Sequence, residues 1–218
     1  MNILVVSPHP DDETLGAGGS LLKLKKENKI YWLNITDLCA DLGYTREQMN
    51  VRSEQIEKIK NIYQFDDTKN LMFPTTKLRE VPDGEAISEI GNYIDAIGAN
   101  WIFLPDYNDA HSDHKMVFDW CLACTKVFRH PSVKTVLTME ILSETNFGHP
   151  DSPFIPNFYV DISETLEKKI QASMIYDTEM GMHPFPRNQE DIRALAMLRG
   201  CEAGVKYAEA FRVIKMIQ

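Results

Sequence analysis

Short runs of hydrophobic residues alternate with longer amphipathic segments along the chain. The short runs are rich in β-branched and aromatic residues and predict strands at Ile3–Val6, Ile30–Ile35, Leu71–Phe73, Trp101–Leu104, Thr135–Met139, Phe158–Asp161 and Val213–Ile217. The amphipathic segments predict helices at Glu13–Glu27, Thr45–Tyr63, Ala86–Ile97, Asp113–Phe128, Glu164–Tyr176 and Gln189–Glu202. This alternation is typical of βαβ units, so we predict an α/β fold with a mostly parallel sheet and an irregular C-terminal part.

Length and charge limit the number of domains and the kinds of partner that the protein can have. The chain has 218 residues, 44% of them hydrophobic, which suits one domain over 1–218 with one substantial core. The formal net charge of −9 repels phosphate backbones and anionic membranes, so nucleic acid and membrane surfaces are poor partners. The N-terminal segment lacks the basic start of a signal peptide, and no apolar run approaches membrane-spanning length. We therefore expect a cytoplasmic protein.

A Cys-x-x-Cys pair, Cys121 and Cys124, lies within the fourth predicted helix. No second cysteine pair follows that would complete a structural zinc site. We interpret both residues as ordinary buried thiols, because free cysteine packs as a small hydrophobic residue.

A cluster of one histidine and three acids follows the first strand directly, as His9-Pro10-Asp11-Asp12-Glu13. In parallel sheets, ligands bind at the carboxyl ends of the strands, where this segment lies. Capping of the next helix by Asp12 would explain one carboxylate but not three in succession. Crowded acids are stabilised by a bound cation, which makes this segment a candidate metal site.

The residue types suit a catalytic zinc ion, which takes three protein ligands and keeps one position for water. His9 and Asp12 can supply two ligands. Asp11 must then project elsewhere, which suits a general base that takes a proton from that water. Glu13, in the first helical turn, can support the site by hydrogen bonding or interact with the helix dipole.

The glycines Gly16, Gly18 and Gly19 do not form a dinucleotide-binding motif. The G-x-G-x-x-G spacing fails at Leu21, and the neighbouring acids would repel a phosphate. We interpret the glycines as small residues that permit close packing of helix and loop.

A second cluster, His111, Asp113 and His114, follows the fourth strand. It also lies at a strand's carboxyl end, so it can meet the first cluster. One histidine would complete a site of two histidines and one carboxylate, and the other would polarise the scissile carbonyl or protonate the leaving amine. Asp113 could orient that second imidazole. Ferrous iron suits the same ligands as zinc does.

With both clusters in view, the sequence resembles the LmbE-like, or PIG-L, family of N-acetylglucosaminyl deacetylases. The resemblance rests on His-Pro-Asp-Asp-Glu at 9–13 and His-x-Asp-His at 111–114. Weaker matches are Val51-Arg52-Ser53-Glu54 and Tyr207-Ala208-Glu209-Ala210-Phe211. It implies a Rossmann-like three-layer sandwich.

The resemblance also implies roles for single residues. The zinc ligands would be His9, Asp12 and His114. Asp11 would be the general base, and His111 the electrophile or acid, oriented by Asp113. Arg52 would contact a substrate hydroxyl or phosphate, although its position alone also fits a solvated helix face.

The function implied is hydrolysis of an N-acyl group, most simply N-acetyl, on a small amino-sugar substrate, by attack of zinc-bound water. One alternative is deacylation of another amide, such as a glycopeptide or a chito-oligosaccharide. Another is a non-catalytic metal- or sugar-binding domain, which would be expected to lack Asp11 or the second histidine.

The chain departs from the family pattern in segments that we expect near the pocket. The loop Thr36–Gly43 replaces the usual Thr-x-Gly-Glu-x-Gly, which leaves the identity of the sugar open. Pro8 and Ser112 are also unusual, but neither removes a ligand. The segments Ile141–Pro156 and His183–Arg187 are expected to fold over the pocket or to meet a neighbouring subunit of a homo-oligomer.

Overall fold

Seven strands form one sheet in the computed structural model, which describes residues 1–218. The strands are β1 (Asn2–Ser7), β2 (Lys29–Asp37), β3 (Asp67–Pro74), β4 (Trp101–Leu104), β5 (Thr135–Met139), β6 (Phe158–Asp161) and β7 (Ala208–Met216). The helices are α1 (Asp12–Leu24), α2 (Arg46–Tyr63), α3 (Asp83–Ile97), α4 (Ser112–Ala123), α5 (Leu166–Ser173) and α6 (Gln189–Ala203). None of the helices is both long and apolar enough to span a membrane.

The strand order across the sheet is β3-β2-β1-β4-β5-β7-β6. The first five strands of this order pair in parallel, whereas β7 runs antiparallel to both β5 and β6. The strand order reverses between β1 and β4, because β2 and β3 lie on one side of this pair and β5 lies on the other. In α/β sheets, ligands bind in the crevice at such a switch point. The predicted α/β fold with a mostly parallel sheet is confirmed.

Two hydrophobic clusters lie on opposite faces of the sheet. Side chains alternate along a strand, so Val5 packs with α1, α2, α5 and α6, while Leu4 and Val6 pack with α3 and α4. Because both faces of the parallel strands are covered, these strands read as continuous hydrophobic runs in the sequence. Helices on both sides of the sheet give the three layers that the family resemblance implies.

The largest differences from the predicted boundaries occur in β3, α4 and β7. The strand β3 is longer than Leu71–Phe73, because it is an edge strand whose half-exposed residues include polar ones. The helix α4 ends at Ala123 rather than Phe128, and the Phe128 side chain is exposed. The strand β7 begins at Ala208 rather than Val213, since its first half contains the buried polar residue Glu209, which hides the strand pattern.

The interpretation of the cysteine pair and of the glycines is confirmed by their packing. Cys121 and Cys124 are buried free thiols in the core beneath α3 and α4. A Cβ atom on Gly16 would lie 2.9 Å from the Cβ of Met139, and one on Gly19 would lie 2.8 Å from Ile162. The glycines of α1 therefore allow the helix to approach the sheet and the segment after β6.

A buried ion pair crosses the middle of α1. Lys169 Nζ lies 2.6 Å from Glu209 Oε1, and it also donates to the carbonyl of Leu15 at 2.8 Å. The Glu209 carboxylate accepts the backbone N–H groups of Gly19 and Ser20 at 2.9 and 2.7 Å. Helix α5 and strand β7 are thereby tied to the backbone of the helix whose N-terminus carries the first cluster.

We predict that Glu209→Ala lowers the free energy of unfolding by about 3–5 kcal/mol, because it leaves the Lys169 ammonium buried without its partner. Chemical denaturation measures the change. The matched control is Glu57→Ala, which removes an exposed ion pair to Lys60 and should cost no more than about 1 kcal/mol. Equal effects of the two substitutions would contradict the structural role of the buried pair.

Candidate metal centre and active site

The two polar clusters meet because β1 and β4 are neighbours in the sheet and both run toward the same edge. The rings of His9 and His111 have centroids 4.6 Å apart, and those of His9 and His114 lie 5.3 Å apart. The sequence predicted this meeting from the position of each cluster after a strand, and the structure places the clusters side by side.

Three potential ligands converge on one point. One ligand atom each from His9, Asp12 and His114 lies within 4.8 Å of the others. The carboxylate Oδ2 of Asp12 lies 3.5 Å from His9 Nδ1 and 3.3 Å from His114 Nε2. Asp12 is the first residue of α1, and its Oδ2 also accepts the backbone N–H of His9 at 2.9 Å. Its side chain therefore faces the two imidazoles rather than capping the helix.

The outward nitrogen of each imidazole is held by a further carboxylate. His114 Nδ1 lies 2.9 Å from Asp109 Oδ2, and His9 Nε2 lies 3.1 Å from Asp113 Oδ2. Asp109 is itself fixed by the hydroxyl of Thr145, which donates to Oδ1 at 2.7 Å. Metal-binding histidines commonly donate their second N–H to a carboxylate in this way. The donor set and its supports therefore fit a zinc ion.

The electrostatics of the cluster favour a cation. Burial opposes charge on the two imidazoles, yet the neighbouring carboxylates raise the pKa of His9 to about 9 and that of His114 well above its ordinary value. Burial likewise opposes the charge of Asp12, but the two histidines lower its pKa below the usual range. An imidazole must give up a proton from the nitrogen that binds a metal ion, so metal binding at this cluster would release protons.

Asp11 lies beside this donor set and points away from it. Its Oδ2 accepts a hydrogen bond from Arg187 Nη1 at 3.0 Å. Burial, followed by the charge of Asp12, raises the pKa of Asp11 to about 8, and the charge of Arg187 opposes that rise. The raised pKa makes the Asp11 carboxylate a stronger base than an ordinary aspartate, and a cation held by Asp12 would lower that pKa toward neutrality, where a general base works best.

The backbone of Asp11 is held in an unusual conformation, with φ of 151°. Its N–H donates to Glu13 Oε2 at 3.1 Å, and its carbonyl accepts the N–H groups of Thr14 and Leu15 at 3.0 and 2.9 Å. The other oxygen of Glu13 accepts the hydroxyls of Thr14 and Tyr176 at 2.7 and 2.9 Å. Glu13 therefore shapes the turn that aims Asp11 and Asp12 in different directions, a support that the sequence left undecided between two roles.

The predicted contact between the Asp113 carboxylate and the His111 imidazole is wrong. His111 caps the N-terminus of α4, and its Nδ1 accepts the backbone N–H of Asp113 at 3.1 Å. The Asp113 carboxylate instead contacts His9 and accepts the N–H of Thr76 at 2.7 Å. Asp113 thus orients His111 through its backbone, while its side chain supports His9.

The cap also settles which nitrogen of His111 carries its proton. Burial, then the charges of His9 and His114, lower the pKa of His111 to about 4, so the ring is neutral near pH 7. Because Nδ1 accepts a hydrogen bond, the proton of the neutral ring lies on Nε2. His111 therefore presents an N–H donor and lines the cleft described below.

Arg52 lies at the site, but most of its hydrogen-bonding capacity is used within the protein. The side chain is buried, Nη1 donates to the carbonyl of Pro10 at 2.6 Å, and Nη2 donates to Glu179. Nε has no acceptor. Arg52 thus holds the first cluster's loop in place, and its contact with a substrate hydroxyl or phosphate stays a prediction.

A cleft of about 180 Å³ opens onto these groups, and its lining is mainly polar. The loop that departs from the family pattern contributes Thr36, Asp37 and Leu38. Glu144 and Arg187 come from the two irregular segments that the sequence placed near the pocket. His149, in contrast, is exposed and does not line the cleft.

Comparison with known proteins identifies the family. The family model described as PIG-L, GlcNAc-PI de-N-acetylase, matches residues 4–125. The match covers more than half of the 218 residues and includes both clusters of the site. The chain therefore belongs to the PIG-L family, and the resemblance predicted from the two motifs is confirmed.

Individual relatives and solved structures align with nearly the whole chain. Diacetylchitobiose deacetylase from Thermococcus kodakarensis is 24% identical over 233 residues, which cover 97% of this chain and 82% of the relative. The crystal structure of the conserved protein TT1542 from Thermus thermophilus has a TM-score of 0.79 and 25% identity, covering 99% of this chain and 96% of that one. The 4-carboxy-2-hydroxymuconate hydratase of Pseudomonas putida has a TM-score of 0.76 at 16% identity, covering 100% and 97%. The last likeness shows the fold alone.

Proposed function

We propose that the protein is a zinc-dependent hydrolase that removes an N-acetyl group from an amino sugar or a sugar conjugate. The observation that carries the proposal is the separation of roles between neighbouring carboxylates. Asp12 faces His9 and His114, whereas Asp11 faces the cleft and Arg187. A site for a cation and a separate proton acceptor are the two parts that metal-assisted amide hydrolysis requires.

Each residue has a distinct part in the reaction. When bound by His9, Asp12 and His114, zinc supplies Lewis-acid chemistry that activates water and polarises a carbonyl. Asp11 accepts the proton that water loses when it attacks the amide carbon. His111 donates a hydrogen bond from Nε2 to the oxygen that gains negative charge, as donors of an oxyanion hole do. As the C–N bond breaks, Asp11 gives the proton it took from water to the leaving nitrogen, so the products are acetate and a free amine.

Family membership and the Thermococcus relative support an N-acetylated sugar as the substrate. The polar cleft supports it as well, since sugars present hydroxyl groups that need hydrogen-bonding partners. The Pseudomonas hydratase has a similar fold but is named for a different reaction. The fold alone therefore does not determine the reaction, and the products have to be measured.

The test is a panel of N-acetylated sugars, chito-oligosaccharides and glycopeptides incubated with the zinc-loaded protein. We expect acetate and primary amine to appear in equal amounts from at least one amino-sugar substrate. Release of another acyl group from a different amide would redirect the proposal to that class of substrate. Absence of hydrolysis across the panel would favour a non-catalytic metal- or sugar-binding domain.

A further inference from the structure

Arg212, in the middle of β7, packs against the loop that leads from β4 into α4. Its guanidinium carbon lies 5.2 Å from the centroid of the Tyr107 ring and 5.1 Å from that of Phe154. Nη2 donates to the Pro153 carbonyl at 2.8 Å, and only 14% of the side chain is exposed. A flat guanidinium stacks well on aromatic rings, so this packing holds the charge of Arg212 in a defined place.

The same guanidinium faces a buried carboxylate. Arg212 Nη1 lies 3.6 Å from Asp106 Oδ2, and the Asp106 side chain is completely buried. Oδ2 also accepts the hydroxyl of Thr138 at 2.8 Å, and Oδ1 accepts the backbone N–H of Asn108 at 3.1 Å. Because these two donors are neutral, Arg212 supplies the positive charge beside the carboxylate. Removing the cation from such a pair leaves a buried charge uncompensated.

Asp106 lies next to the carboxylate that orients a candidate zinc ligand. The backbone N–H of Asp106 donates to Asp109 Oδ2 at 3.2 Å, and the N–H of Asp109 donates to the Asp106 carbonyl at 3.1 Å. Asp109 Oδ2 is also the atom that lies 2.9 Å from His114 Nδ1. A continuous series of contacts therefore runs from the guanidinium of Arg212 to the imidazole of His114.

The segment after β5 is attached to the same loop. Asn108 Nδ2 donates to the carbonyls of His149 and Ser152 at 2.9 and 2.8 Å. This segment also carries Thr145, whose hydroxyl donates to Asp109 Oδ1 at 2.7 Å. The guanidinium binds the segment through a backbone carbonyl as well, so it supports both sides of the carboxylate that holds the imidazole.

A second arginine of similar burial provides a reference. The Arg199 side chain is 13% exposed and forms ion pairs with Glu140 and Glu202. Neither of these acids lines the cleft or belongs to a group of candidate metal ligands. Burial and ion pairing are thus common to the two arginines, whereas of the two only Arg212 is linked to a candidate zinc ligand.

We propose that Arg212 is a positioning residue of the metal centre. Its charge compensates Asp106, and the hydrogen bond from Asp106 to Asp109 passes this support to the carboxylate that aims His114. The inference rests on the proposed function only for the binding of zinc at the three converging ligands. It extends the metal site to a residue outside the span 4–125 that the family model matches.

Zinc affinity, measured by competition with a chelator in the absence of substrate, tests this role. Arg212→Met keeps an extended side chain but removes the charge, and zinc affinity should fall about tenfold, the lower end of the range for loss of an outer partner. Arg212→Lys keeps the charge and should retain most of the affinity. Arg199→Met is the matched control, which should lower the stability of the protein and leave zinc affinity unchanged.

A double variant separates loss of charge compensation from loss of packing. Asp106→Asn removes the carboxylate that Arg212→Met leaves uncompensated, so the two substitutions together should regain most of the lost zinc affinity. A defect of packing alone would not be repaired in this way. The double variant also carries the test if Arg212→Met alone does not fold, since zinc binding close to that of the unchanged protein is then the expected result.

Four results would overturn the inference. They are full zinc affinity in Arg212→Met, an equal loss in Arg212→Lys, an equal loss in Arg199→Met, and weak zinc binding by the double variant. The proposed function fails separately. If zinc affinity follows the expected order but the zinc-loaded protein releases no acetate from any substrate of the panel, the positioning role stands and the proposed deacetylation is wrong.

Discussion

Replacing Asp11 with asparagine is expected to lower kcat by about 10²–10⁴-fold while leaving the zinc content of the protein unchanged. Asparagine has nearly the same shape and still accepts the hydrogen bond from Arg187, but it cannot take a proton from water. Metal binding should persist because Asp11 Oδ2 faces Arg187 rather than the point where His9, Asp12 and His114 converge.

The measurement pairs acetate release with zinc analysis of the same dialysed sample. Asp41→Asn is the matched control, since it makes the same chemical change at an exposed position in the neighbouring loop. Full activity in Asp11→Asn would show that another group accepts the proton. Loss of zinc would instead make Asp11 part of the metal site.

The meeting of the two clusters could be predicted because it depends on local sequence and on one rule of sheet topology. His9–Glu13 and His111–His114 each follow a hydrophobic strand directly, and parallel strands place such segments at a common edge. The capping box at the start of α2 is equally local, since Thr45 and Gln48 stand three residues apart and exchange both hydrogen bonds. Short-range spacing alone determines features of this kind.

The supports of the site could not be predicted, because they pair residues that are far apart in the chain. Arg187 reaches Asp11 across 176 residues, and Glu209 reaches Gly19 across 190. Asp109 is closer, five residues before His114, but the polar loop around it offers several equivalent carboxylates. Only the packing of the folded chain decides which of them binds the imidazole.

Asp113 illustrates how a correct choice of residue can accompany an incorrect contact. Spacing suggested that the carboxylate would orient its neighbour His111, but the start of α4 imposes another geometry. The first turn of a helix has free N–H groups, and His111 Nδ1 accepts one of them. That bond occupies the nitrogen which the Asp113 carboxylate was expected to hold, and the carboxylate binds His9 instead.

Alternating charges link the catalytic loop to the C-terminal part of the chain. Glu179 binds Arg52, Arg52 binds the Pro10 carbonyl, and Arg187 binds Asp11. Arg187 Nη2 also lies 3.7 Å from Glu179 Oε2, which closes the chain of contacts. The irregular C-terminal part therefore fixes the loop whose motif identifies the family, although the family model ends at residue 125.

Removing His114 is expected to have the largest effect on the metal. His114→Ala deletes one of three converging ligands. Loss of a hydrogen-bonding partner that only supports a ligand typically lowers metal affinity about 10–100-fold, and loss of the ligand itself should lower zinc affinity further. Asp109→Asn supplies that smaller change, since it weakens only the support of His114 Nδ1. We therefore expect zinc affinity to be highest in the unchanged protein, lower in Asp109→Asn and lowest in His114→Ala.

Competition titrations against a zinc chelator, with the metal content of dialysed protein as a second readout, measure this order. His149→Ala is the matched control, because it removes an exposed histidine outside the cleft and should leave affinity unchanged. An unchanged metal content in His114→Ala would refute its role as a ligand. A loss in Asp109→Asn as large as that in His114→Ala would mean that Asp109 itself binds the metal, since a carboxylate that only orients an imidazole leaves all three ligand atoms in place.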